Sequence, residues 1–153
     1  MNPKVIVNIP ATSANMGPGL DCLGIALDVW NTVKVFDGNS SVDVNGYGEE
    51  VLPRDETNLV YKGFAEFFRV IDEAVPSVKL VCENNIKLAR GMGSSSAALV
   101  GGLSAANSYD SKDHTFVPDV LTLGIRPFSG HIPTNDASNY SSVPFANKTA
   151  GSL

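Results

Sequence analysis

Residues 78–107 read VKLVCENNIKLARGMGSSSAALVGGLSAAN, and the fold is decided there. Val78, Leu80 and Cys82 alternate onto one face, which predicts a short strand over Val78–Cys82. Asn84–Met92 carries no period and predicts a loop; Gly93–Asn107 is rich in small apolar residues and predicts a helix. Between strand and helix lies Arg90-Gly91-Met92-Gly93-Ser94-Ser95-Ser96. Two glycines allow positive φ and close approach of the backbone. The helix that follows offers free N–H groups and the positive end of its dipole, and three hydroxyls add donors or a metal ligand. Phosphate suits such a loop, and an ordinary Gly/Ser helix start has the same composition. A Walker A loop is excluded because no lysine stands at its required position, and a dinucleotide fingerprint lacks its third glycine at Ser96. The helix is apolar nearly all round, so it is expected to be buried. Gly101-Gly102 lowers its propensity, which predicts that another backbone packs close against it.

Working toward the N-terminus, Thr57 or Asn58 is a candidate N-cap for a helix carrying Val60, Phe64, Phe67, Phe68, Ile71 and Val75, stopped by Pro76. The stripe of phenylalanines reads as core. Before it, Ser41–Tyr47 alternates through Val42 and Val44, and Gly24–Phe36 alternates through Ile25, Leu27, Val29, Val33 and Val35. Asp37-Gly38-Asn39 reads as the turn joining these two as an antiparallel pair. Lys4–Ile9 is a half-buried strand ended by Pro10. The expectation is an α+β domain, mostly antiparallel sheet with helices on one face.

A second motif follows the first strand: Pro10-Ala11-Thr12-Ser13-Ala14-Asn15-Met16-Gly17-Pro18-Gly19-Leu20-Asp21. Asn15 can donate and accept, and Asp21 can hold an ammonium or a hydroxyl proton. A polar turn in which Asp21 caps the backbone accounts for the same residues.

Toward the C-terminus the composition changes near Asn107. Residues 108–153 hold both histidines, four prolines and seven serines, and all six glutamates lie at or before Glu83. Pro118, Pro127, Pro133 and Pro144 leave no room for a long helix. His114 and His131 read as solvated loop residues, and Cys22 and Cys82 as small buried hydrophobes. Across all 153 residues, 16 acidic and 11 basic side chains give a net charge of −5. That balance argues against nucleic acid or anionic membranes as partners. No apolar run approaches a membrane span, no secretory signal follows Met1, and two cysteines make no disulfide framework. A cytoplasmic protein is expected.

Taken together, the motifs at Pro10–Asp28 and Arg90–Ala98 resemble the GHMP small-molecule kinases and, within them, the homoserine kinases. Glu83-Asn84-Asn85-Ile86 and Thr57-Asn58-Leu59-Val60-Tyr61 also match in place. The resemblance implies a fold like domain 2 of ribosomal protein S5, ATP and Mg²⁺ as cofactors, and phosphorylation of the L-homoserine hydroxyl on the way to threonine. By the same resemblance Asn15 and Asp21 hold homoserine, and Asn58 lies near the adenine. Lys87, Leu88, Ala89, Arg90, Gly91, Met92, Gly93, Ser94, Ser95, Ser96 and Ala97 wrap the ATP phosphates, with the Ser95 hydroxyl on Mg²⁺. It is compatible with a homodimer and assigns no catalytic base. It covers residues 1–107, the expected ATP-binding domain. The family's metal carboxylate and Glu-Gly-His-Pro-Asp-Asn segment have no counterpart beyond a loose echo at Ser129–Asp136. Residues 108–153 therefore read as an atypical, truncated or frame-shifted tail. The competing expectations are an inactive phosphate-binding fragment and an S5-like RNA-binding domain.

Overall fold

The computed structural model describes residues 2–14, 16–17 and 23–110. The element order is β1 (Val5–Ser13), β2 (Ile25–Asp37), β3 (Ser41–Gly46), α1 (Leu59–Val70), β4 (Val78–Asn84) and α2 (Ser94–Asp110). The four strands form one sheet in the order β1-β2-β4-β3. β1 pairs antiparallel with β2, and β2 antiparallel with β4. β3 pairs parallel with β4, so β3–α1–β4 is a βαβ crossover. The fold is α+β, as expected.

The expected β2–β3 pair does not form, because β4 lies between them. β4 pairs with β2 on one side and β3 on the other, so β3 forms the outer edge of the sheet with Val42 and Val44 still buried on its inner face. Row by row, Val7, Val33, Cys82 and Val44 lie side by side and are at most 4% exposed. The opposite face carries Asn8, Thr32, Lys34 and Glu83, none of them buried.

Pro10 does not end β1. The strand continues to Ser13, with its register shifting between Pro10 and Ala11. Pro10 is tolerated because β1 is an edge strand and the ladder is interrupted there anyway. Helix α1 also ends earlier than Pro76 would require. Asp72 takes φ 56°, and the Glu73 N–H reaches back to the Phe68 carbonyl at 2.9 Å. This αL closure ends the helix through its own backbone.

Phe64, Phe67 and Phe68 are core residues, with the Phe68 ring centroid 5.3 Å from that of Phe64, tilted against it, and 5.3 Å from that of Phe67, edge to face. The helices meet backbone to backbone, as Gly101-Gly102 predicts. A Cβ on Gly102 would lie 2.0 Å from the Val60 carbonyl oxygen, and one on Gly63 2.4 Å from that of Leu99. Gly101 turns instead toward the sheet, where a Cβ would meet Ile9 at 2.9 Å. This close packing fixes α2, and with it the loop at its start.

Candidate functional site

Chain leaving β4 must turn sharply to enter α2, and the turn is made in the left-handed region. Ala89, Gly91 and Gly93 have φ of 52°, 70° and 70°. The Gly93 carbonyl accepts from the Ala97 N–H at 2.8 Å, which makes Gly93 the cap of α2. Glycine has no side chain to close the end. The first-turn N–H groups of Ser94, Ser95 and Ser96 therefore have no intrahelical acceptor. They face a cavity of about 210 Å³ lined by Ala89 through Ser96. Lys87 and Arg90 are exposed and make no ion pair with a described residue, while the stretch Lys87–Ala97 holds no carboxylate. Open N–H groups, a helix dipole, three hydroxyls and two cations are the donor set an anion requires.

The loop is tied to the end of β1. The Thr12 N–H donates to the Met92 carbonyl at 3.0 Å, and a Cβ on Gly93 would lie 2.6 Å from the Thr12 Oγ1. The structure thus joins the two motifs that sequence keeps some eighty residues apart. Any side chain at Gly93 would therefore run into Thr12. Asn15 and Asp21, the candidate acceptor-side residues, lie outside the described residues, as does Cys22.

Among the remaining candidates, Leu88 is half-buried near Gly48, and Ala97 is buried beneath the cavity. Asn58 caps α1. Its Oδ1 accepts from the Val60 N–H at 2.9 Å and its Nδ2 donates to the Pro53 carbonyl at 2.6 Å. Its side chain is therefore already engaged. Magnesium finds little in the cavity by itself. No carboxylate lines it, and no group of three His, Cys, Asp or Glu able to hold a metal occurs among the described residues. The metal would depend on oxygens brought by the phosphates.

Two groups are set aside. Burial, followed by the nearby Asp43 charge, pushes the Cys82 thiol up to about 12, so it is neutral and unreactive. A wider hollow of about 460 Å³ lies beside Arg54, Asp55 and Tyr61. There the Arg54 guanidinium donates to the Val44 and Glu49 carbonyls, and the Thr57 hydroxyl holds Asp55 below its usual range. These Arg54, Asp55 and Thr57 groups are thus engaged within the chain itself.

Residues 58–125 match the family described as GHMP kinases N terminal domain. Over that stretch the chain is similar to the N-terminal domain of GHMP kinases. That match runs past Asn107, where the sequence reading stops the resemblance. A homoserine kinase from Desulfitobacterium hafniense is 51% identical over 106 residues, 69% of this chain and 36% of that protein. Another, from Clavibacter michiganensis, is 49% identical over 137 residues, 88% of this chain and 43% of that protein. Among solved structures, homoserine kinase from Cytophaga hutchinsonii aligns with a TM-score of 0.66 at 26% identity, covering 80% of this chain and 40% of that one. Mevalonate kinase from Methanococcus jannaschii aligns at 0.65 with 13% identity, covering 82% and 47%, a likeness of fold alone. The chain thus spans less than half the length of each of these proteins. No helix among its described residues is long and apolar enough to cross a membrane.

Asn31 was missed by sequence reasoning. It interrupts the apolar alternation of β2 between Val29 and Val33, and that gap was the available signal.

Proposed function

We propose that this chain forms the ATP-phosphate site of a homoserine kinase, which moves the γ-phosphoryl group of ATP onto the side-chain hydroxyl of L-homoserine. ADP and O-phospho-L-homoserine leave, and the hydroxyl proton is released. The observation that carries the reading is the glycine-capped start of α2, whose first turn lines a cavity that holds Arg90 and, among the described residues, no carboxylate. The acceptor is argued from the homoserine kinases the chain is similar to. In this reading Lys87 and Arg90 neutralise phosphate charge, and Gly91 and Gly93 admit the backbone to it. Ser94–Ser96 donate, with Ser95 offering its hydroxyl to nucleotide-borne Mg²⁺. Asn15 and Asp21 take the ammonium and hydroxyl of homoserine in the cytoplasm. Asn58 enters at the adenine end by resemblance alone. Catalysis of this kind is positioning plus electrostatic stabilisation of the transferred oxygens.

A second reading, nucleotide binding without turnover, is favoured by the lack of a carboxylate among the described residues that line the cavity. One preparation separates the two. ATP with Mg²⁺ is expected to raise the unfolding midpoint of the 153-residue chain. ADP release with L-homoserine is expected to fall well below the ordinary kinase range of about 1–100 s⁻¹. A rate inside that range would assign the full reaction to this chain. Absence of any ATP protection would remove both readings.

A further inference from the structure

The core face of the sheet is apolar row after row until its last row, beside the loop. There the register places Ile9 opposite Asn31, and Gly46 opposite Asn84. Asn31 is only 6% exposed, yet a valine or isoleucine would fit the alternation of β2. Its carboxamide makes three hydrogen bonds. Oδ1 accepts from the Asn85 N–H at 2.8 Å and from the Ile86 N–H at 2.9 Å, while Nδ2 donates to the Asn84 Oδ1 at 3.2 Å. The Asn84 amide passes the bond on to the Tyr47 carbonyl at 3.1 Å. The relay has one polarity. An acceptor must face the two backbone donors, and a donor must face Asn84, and a carboxamide meets both demands.

Asn85 and Ile86 are the residues by which the chain leaves β4 for the phosphate loop. Ile86 is fully buried, and from there Lys87–Gly91, with Leu88 half-buried near Gly48, leads to Met92, whose carbonyl Thr12 holds. The loop is thus a short bridge with two supports, Asn31 on β2 and Thr12 on the neighbouring β1. A bridge fixed at one end only would let Gly91 and the first turn of α2 drift relative to each other.

We propose that Asn31 is a positioning residue for the phosphate loop: it acts through the Asn85 and Ile86 N–H groups to preset the anion cradle and touches no substrate itself. This rests on the nucleotide reading given above, and the experiment tells the two apart. The full chain is titrated with ATP and Mg²⁺ as wild type, as Asn31→Ala, and as Val42→Ala, a core truncation at the far end of the same sheet. Hydrogen exchange is followed at the Asn85 and Ile86 amides. Wild type is expected to bind, Asn31→Ala to bind about tenfold more weakly while folded, and Val42→Ala to keep wild-type affinity despite lower stability. The two amides are expected to lose protection in Asn31→Ala alone. If Asn31→Ala does not fold, Asn84→Ala decides, with about threefold weaker binding expected as the relay loses its second member. Wild-type affinity in whichever variant folds, or an equal loss in Val42→Ala, would overturn the positioning role. A wild type that does not bind ATP would instead sink the nucleotide reading, and the proposal with it.

Discussion

Helices α1 and α2 begin in opposite ways. α1 starts behind Asn58, 4% exposed, whose side chain closes the Val60 N–H. α2 starts behind Gly93, which closes nothing and leaves its first turn to a cavity. Their faces differ as well. α1 is sharply one-sided, with Val60, Phe64, Phe67 and Phe68 buried together. α2 has glycines on two sides, Gly102 against α1 and Gly101 against the sheet. The closed helix is held by large side chains and its own caps. The open helix gives up capping and gets its rigidity from close packing with its neighbours. An anion site can be open at its mouth only if everything behind it is fixed.

The largest break in this comparison is Gly102→Ala. Its Cβ would stand 2.0 Å from the Val60 carbonyl oxygen and 2.8 Å from the Phe64 nitrogen, both backbone atoms that cannot rotate away. The helices must part, and denaturant unfolding is expected to show a loss of about 3 kcal/mol or more. Gly93→Val comes next. A β-branched residue at φ 70°, against Thr12, is expected to cost about 2 kcal/mol and to abolish ATP protection in thermal unfolding. Unchanged protection would take the loop out of the site. Asn58→Ala removes the closed cap and is expected to cost about 1 kcal/mol. Measured beside it, ATP affinity is expected to fall as well, because the proposed reading puts Asn58 at the adenine end; wild-type affinity in the folded variant would leave the side chain as a cap alone.

The smallest expected effect lies at the far ends of the helices. α1 closes on Asp72 through its backbone, whereas the last turn of α2 is tied by the Tyr109 hydroxyl, which donates to Asp37 at 2.8 Å, with Lys4 pairing the same carboxylate at 2.6 Å. Lys4, and then Tyr109, hold the Asp37 carboxyl below its ordinary value of 3.8. A depressed carboxyl stabilises the fold above its unfolded value and loses that contribution as pH falls through the folded one. Asp37→Asn should therefore lower the melting temperature slightly at neutral pH, and the difference should fade in acid below 3.8. The group is fully exposed, so the effect should also shrink in salt. An equal difference at all pH values would show that the ion pair contributes nothing.

Much of this was readable before any coordinates. Asn58 as a cap, the phenylalanine stripe, the strand over Val78–Cys82 and the close approach at Gly102 all rest on short-range rules of period, capping and backbone entropy. The misplaced features share a different cause. Asp37-Gly38-Asn39 reads as a hairpin turn because local chemistry cannot see that β4 inserts between β2 and β3. Pro10 reads as a stop because the sequence does not say which strand is an edge. Asn31 reads as a defect in a strand, for its partners Asn84, Asn85 and Ile86 lie more than fifty residues away.

The sequence by itself determined the elements, the glycine-capped start of α2 and the kinship with GHMP kinases, because these depend on residue types at fixed local spacings. Tertiary structure alone decided the strand order, the contact of Thr12 with Gly93 and the anchoring of the loop by Asn31. Those follow from which backbones come within hydrogen-bonding distance once the core is packed, and no local period records that.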